Sequence, residues 1–144
     1  MIEQMKQIVK DDKFCVLATS SDNKPYCSLM AYAPSNDCSR IYMVTRKDSV
    51  KFGNLLKNSS VSLLIDTRKN SRDGINNKTK ALTVTARFCE IRDESEHEKA
   101  KNMLLEKHPD LNIFLDDPEA CIFAVDISSF LLLTGFSDSC YAEL

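Results

Sequence analysis

Between residues 45 and 51 the chain reads Thr-Arg-Lys-Asp-Ser-Val-Lys, two hydroxyls and three cations in one short stretch. The apolar run Ile41 to Thr45 leads into it. Phe52, Leu55 and Leu56 follow at a spacing of three to four residues, which predicts a helix with Asp48 or Ser49 as its N-cap. The segment therefore turns a strand-to-helix corner. Amides in the first turn of a helix have no intrahelical acceptor, and the helix dipole adds about half a positive charge there. Hydroxyls and ammonium groups converging on such a terminus make a phosphate site. Asp48 works against an anion unless its carboxylate turns aside. The same residues also suit an ordinary capped helix with solvated cations, so this stretch by itself leaves both readings open.

The elements that would position this corner are mostly strands. Ile2, Met5, Ile8 and Val9 trace a first helix that ends at Asp11-Asp12-Lys13. Phe14 to Thr19 reads as a central strand, Ser21 to Pro25 as a turn, Tyr26 to Ala33 as a second strand and Ile41 to Thr45 as a third. Short polar connections make an antiparallel meander of these three the economical topology. A strand over Val61 to Asp66 precedes a polar loop, Arg68 to Lys80, whose basic residues Arg68, Lys69, Arg72, Lys78 and Lys80 would either fold over a ligand or stay solvated. Leu82, Val84, Ala86 and Phe88 then alternate with polar residues, the period of a half-buried strand. Ser95-Glu96-His97-Glu98 has the form of a capping box and opens a helix that stops before Pro109. A further helical turn over Leu111 to Leu115 and strands over Ala120 to Val125 and Ser129 to Phe136 complete the set. The fold class expected is mainly β, an antiparallel barrel with a few flanking helices, as one domain over residues 1–144.

Composition narrows the function. The net charge is -2, with 19 basic and 21 acidic residues interspersed, so neither a nucleic-acid nor a membrane-surface role is expected. No apolar stretch is long enough for a membrane span and the N-terminus has no signal-peptide core, so a cytoplasmic location is expected. The six cysteines include no Cys-x-x-Cys pair, so no metal site is expected and the thiols should be reduced and mostly buried, Cys15, Cys27 and Cys89 lying within apolar runs. His97 and His108 fall on or near the second long helix and read as surface residues. Asp66 and Asp126 read as turn-formers at strand ends. No catalytic nucleophile, general base or triad is visible.

The order Asn23-Lys24-Pro25, strand, Tyr42-Met43-Val44-Thr45, then Ser49-x-Lys51, helix, and Val61-Ser62-Leu63-Leu64-Ile65 resembles the pyridoxamine 5′-phosphate oxidase-related flavoproteins. The resemblance covers about Phe14 to Ile91 and continues more weakly in the terminal strands. It implies a split β-barrel of about six to seven strands and a homodimer with FMN between its subunits. By position, Thr45, Ser49 and Lys51 resemble the family's ligands for the FMN phosphate, and Arg46 would add a guanidinium. The second strand, through Ser28 and Met30, would run beneath the flavin ring, and Ala81 to Thr83 would approach from the partner. The resemblance also implies a small-molecule electron donor or acceptor and an FMN-dependent oxidoreductase activity. Ser28 and Ala33 stand where true oxidases carry basic residues, Ser49-Val50-Lys51 replaces their Ser-Arg-Lys, and Thr134 to Asp138 lacks their vitamin-phosphate arginine, so oxidation of vitamin B6 phosphate is not expected. The alternatives are a non-enzymatic FMN carrier or sensor, or a barrel for haem or a deazaflavin. The apolar run Phe130 to Leu133 must place some side chains outward, which independently suggests a subunit interface.

Overall fold

The computed structural model describes residues 1–68 and 74–144. The expected basic loop falls partly outside the described residues, at 69–73. In chain order the elements are α1 (Ile2–Asp11), β1 (Phe14–Ser21), β2 (Lys24–Ala31), β3 (Ala33–Pro34), β4 (Arg40–Arg46), α2 (Val50–Lys57), β5 (Ser60–Asp66) and β6 (Lys80–Glu90). There follow α3 (Glu94–Lys107), a 3-10 turn over Pro109–Leu111, α4 (Asn112–Leu115), β7 (Ala120–Thr134) and β8 (Asp138–Glu143).

The strands form one antiparallel sheet in the order β2-β1-β5-β6-β7-β4-β3, with β8 also paired to β7. Asp22 and Asn23, at φ 53° and 62°, make the two-residue hairpin between β1 and β2. Such a turn matches strand twist only with both central residues at positive φ, which Asp and Asn tolerate best. The expected meander holds only in part. β4 does not pair with β2 but with β7, from Arg40↔Asp126 to Arg46↔Ala120, and the other neighbour of β1 is β5. The reason is a break at Tyr32. The chain up to Ala31 pairs with β1, and Ala33 and Pro34 pair with β4, so one segment joins both ends of the sheet and curls it into a split barrel.

Tyr32 is wholly buried at that junction. Its hydroxyl donates to the Val9 carbonyl at 2.6 Å, and its own carbonyl lies 2.9 Å from His108 Nε2. Lys107 Nζ sits 4.5 Å above its ring. The two helices are thus tied to the seam where the barrel closes. His108 is accordingly buried, not a surface residue as expected: one ring nitrogen has a backbone partner and the ring packs against Phe14. His97 is exposed.

β7 is one 15-residue strand where two were expected. β6 follows it nearly throughout, with a register shift at Thr85/Ala86, while β4 takes the first half of its other edge and β8 the second. Asp126 therefore lies within a strand, and its carboxylate takes Arg40 Nε at 2.7 Å and Nη2 at 3.2 Å. Arg40 Nη1 reaches Glu96 on α3 at 2.7 Å, and Tyr42 donates to the same carboxylate at 2.9 Å. The capping box is also corrected: α3 begins at Glu94 and Asp93 is its cap, accepting from the Ser95 amide. An aspartate two residues earlier caps as well as a serine, and it lengthens the helix.

Inside the barrel Leu17, Met43, Leu63, Leu82, Phe123 and Phe130 are buried. A second apolar cluster, with Tyr42, Val44, Ile122, Ala100 and Leu104, lies between the β4–β7 surface and α3. The far side of the sheet has a different character. Strand register aligns Leu29, Val16, Leu64, Thr83, Leu131 and Tyr141 in one outward row across β2, β1, β5, β6, β7 and β8. Leu29 is 76% exposed, Leu64 38%, Leu131 43% and Tyr141 58%. In the run Phe130 to Leu133, Phe130 and Leu132 turn inward and Leu131 and Leu133 outward. No helix among the described residues is long and apolar enough to cross a membrane.

The cysteines split by environment. Cys15 and Cys38 are buried, while Cys27, expected inside, is exposed because the face of β2 that carries it has no element packed on it. Burial pushes the Cys15 thiol up to about 12. Thiolate is the reactive form, so Cys15 and Cys38 should stay unlabelled by iodoacetamide at pH 8 until the protein is unfolded. Mass-spectrometric mapping of the labelled sites checks this, and native labelling at Cys15 would contradict the packing described.

Candidate functional site

The last residues of β4 and the first of α2 form the corner foreseen in the sequence. Ser49, with φ -80° and ψ 154°, is the N-cap, and its hydroxyl accepts from the Phe52 amide at 3.2 Å. That hydroxyl also donates to the Arg46 carbonyl at 2.7 Å and lies 3.1 Å from Thr45 Oγ1. Because Ser49 spends its proton on Arg46, Thr45 is the donor within the hydroxyl pair. The two hydroxyls are thereby held in place before any ligand arrives.

A cavity of about 290 Å³ opens at this corner. Its polar end carries Thr45, Arg46, Ser49 and Lys51, and its walls are Leu29, Met30, Ala31, Val44, Leu111 and Phe114. Five of the six expected site residues thus meet at one place: Met30, Thr45, Arg46, Ser49 and Lys51. Ser28, two residues along β2 from Met30, lies outside this lining. Ala81 and Thr83 face outward from β6, with Leu82 between them turned into the core.

Charge at the polar end is uneven. Lys51 makes no ion pair among the described residues. Arg46 donates to both oxygens of Asp48, at 3.0 and 3.1 Å, and to Asp117 at 2.5 Å. The Arg46 guanidinium, mainly through its hydrogen bond, holds the Asp48 carboxyl below its ordinary range. Asp48 has therefore turned away from the helix start towards Arg46.

Leu111, Phe114 and Asp117 were not foreseen as site residues. The sequence marks a helical turn there, but only the tertiary fold carries it to the corner, through Arg46–Asp117 and the Lys47 amide on the Glu119 carbonyl at 2.8 Å. A larger cleft, about 470 Å³, lies between α1 and α3 beside Pro34 and Ser35. It has no helix N-terminus, and Lys107 there reaches the Lys10 carbonyl and the Tyr32 ring. The corner, with amides, hydroxyls and cations together, is the better ligand site despite its smaller volume.

A family sequence profile described as pyridoxamine 5′-phosphate oxidase matches residues 1–128. The chain belongs to that family. No curated protein matches it at a significant level. Among solved structures, a haem-binding protein from Mycobacterium smegmatis superposes with a TM-score of 0.86 at 13% identity, over 98% of this chain and 57% of that one. The chain thus spans little more than half of the mycobacterial protein. An FAD-binding protein from Mesorhizobium loti gives a TM-score of 0.73 at 17% identity, over 92% of this chain and 93% of that one. The haem storage protein HutZ from Vibrio cholerae gives 0.74 at 16% identity, over the same shares. Identities this low establish a common fold, one shared by an FAD-binding protein, a haem-binding protein and a haem storage protein.

Proposed function

We propose that the corner between β4 and α2 holds the phosphate of FMN and that the chain works as an FMN-dependent oxidoreductase. The observation that carries this reading is the cavity itself, with Thr45, Ser49, Arg46 and Lys51 at one end and an apolar wall at the other. That arrangement suits a molecule with a dianionic tail and a flat aromatic body. Bound flavin would supply the hydride and electron chemistry at its ring, while the protein holds and tunes it. Lys51 and the first-turn amides of α2 would donate to the phosphate, Thr45 would do so only by giving up its bond to Ser49, and the β2 backbone beside Met30 would lie under the ring. Haem fits the same cavity less well. The lining has no His, Cys or Tyr, and its one soft ligand, the Met30 sulfur, belongs to a core side chain that is 5% exposed.

The outward row from Leu29 to Tyr141 supports a second part of the reading, a two-fold dimer. Leu29 belongs both to this row and to the cavity lining, so a second copy seated on the apolar face would also wall the cavity. Outward Ala81 and Thr83 lie on that same face. A homodimer covering it would explain why so much apolar surface has no helix above it.

Absorbance of the purified protein and titration of the apoprotein with FMN test the assignment. Flavin bands are expected, and they should bleach under anaerobic NAD(P)H. A Soret band in place of flavin absorbance would give the cavity to haem, and bound flavin that no donor bleaches would leave a carrier. Lys51→Ala should weaken FMN by about 1.5–3 kcal/mol, the worth of a charge-assisted hydrogen bond. Riboflavin, lacking the phosphate, should bind both proteins equally. An unchanged FMN affinity would put the phosphate elsewhere.

A further inference from the structure

Arg46 stands at the polar end of the cavity with its guanidinium already engaged. Asp48, two residues on, takes Nε and Nη2 in a fork and travels with the same turn of chain. Asp117 is a different kind of partner. It comes from the segment after α4 and meets Arg46 through Nη1 alone, by its Oδ2. Its other oxygen accepts from the Glu119 amide at 2.9 Å and holds the local turn. Leu111 and Phe114 of the preceding turns line the cavity, so the segment that brings the carboxylate to Nη1 also supplies part of the cavity wall.

An anion arriving here meets Lys51, which has no ion pair among the described residues, and Arg46 with two. We propose that Asp117 is an internal competitor for the ligand's anionic group: on binding, Arg46 exchanges the Asp117 carboxylate for the phosphate, and Asp117 thereby sets how tightly the tail is held. The inference rests on the reading of this cavity as an anion-ended cofactor site. Nη1 can be surrendered without disturbing the Asp48 fork, which makes Asp117 and not Asp48 the exchanging partner. The carboxylate also adds like-charge repulsion to any phosphate within a few ångströms, so affinity is lowered twice by one group. Release of Asp117 would leave the segment after α4 held at the corner by the Lys47–Glu119 backbone bond and the Arg46↔Ala120 strand pairing.

Asp117→Asn tests this with little disturbance, because an amide oxygen still accepts from the Glu119 amide while the charge on Arg46 is removed. Asp117→Ser, whose hydroxyl can accept from the same amide, is a second variant with the same expected gain. Calorimetric titrations of the full chain would use FMN, riboflavin and inorganic phosphate. Both variants should bind FMN and phosphate about two- to fivefold more tightly, the range for a part-exposed ion pair, and riboflavin unchanged. In an Arg46→Ala background the gain should shrink to the relief of like-charge repulsion alone, and a gain as large as in the parent background would overturn the exchange. If phosphate tightens but no flavin binds to any variant, the exchange stands and the flavin reading falls. If phosphate binds the variants no better than the parent, or riboflavin tightens as much as FMN, the exchange is wrong whatever the cofactor.

Discussion

Replacing Tyr32 with phenylalanine should lower the free energy of unfolding by about 2 kcal/mol, and replacing it with alanine by about 4 kcal/mol. The first figure follows from one atom. The Tyr32 hydroxyl, in a fully buried side chain, donates to the carbonyl of Val9 in the last turn of α1. That carbonyl's usual partner four residues on, the Lys13 amide, is taken by the Asp12 side chain. Phenylalanine would leave a buried carbonyl without a donor, which costs about 1–3 kcal/mol. Burial raises the phenol far above its ordinary range, so at neutral pH it is a neutral donor. Alanine adds a cavity at the point where the segment pairing with β1 becomes the segment pairing with β4. Met30 and Ala31, immediately before the junction, line the candidate site, so the alanine variant should also loosen ligand binding. Urea titrations with an unchanged m-value would measure both effects. A cost below about 0.5 kcal/mol for phenylalanine would mean that the Val9 carbonyl finds another donor.

Tyr32 also shows what could be read from the residues and what could not. Strand content, the Asp22-Asn23 turn and the strand-to-helix corner depend on neighbours in sequence, and all were legible. Ser49 caps α2 because its own hydroxyl reaches an amide three residues away, a local fact with a local signature. The pairing of β4 with β7 spans some eighty residues, and nothing in either strand's own pattern selects that partner over β2. The break at Tyr32 is invisible in an apolar run that reads as one continuous strand. His108 carries a polar side chain but finds a backbone carbonyl inside the fold, so polarity alone mislocates it. In α3 two overlapping cap signals, Asp93 and Ser95, competed, and the geometry took the one that gives the longer helix. At the site, hydroxyls and cations were legible because they sit together in sequence. The wall supplied by Leu111 and Phe114, and the ion pair from Asp117, come from a segment more than sixty residues away, so they emerge only in the folded chain.

On the proposed two-fold pairing, Leu131→Lys combined with Leu64→Lys should convert the dimer to monomer at micromolar concentration. Leu64 on β5 and Leu131 on β7 flank Thr83 in the outward row, near the middle of the apolar face. Each is partly exposed in the single chain, at 38% and 43%, so lysine there can reach water without disturbing the barrel interior. In a closed interface the same lysines would lose water, a cost of several kcal/mol per ion. Two-fold symmetry repeats each substitution in the partner, so four charges would be buried together. That is more than enough to shift the dissociation constant by three orders of magnitude. Sedimentation velocity should show the parent as a dimer and the variant as a monomer, with the two circular dichroism spectra alike. The monomer should also hold FMN poorly, since Leu29 joins the apolar face to the cavity and the partner would supply the remaining wall. A parent chain that sediments as a monomer at all concentrations would remove the dimer from the proposal. A variant that stays dimeric would move the interface to another face of the barrel.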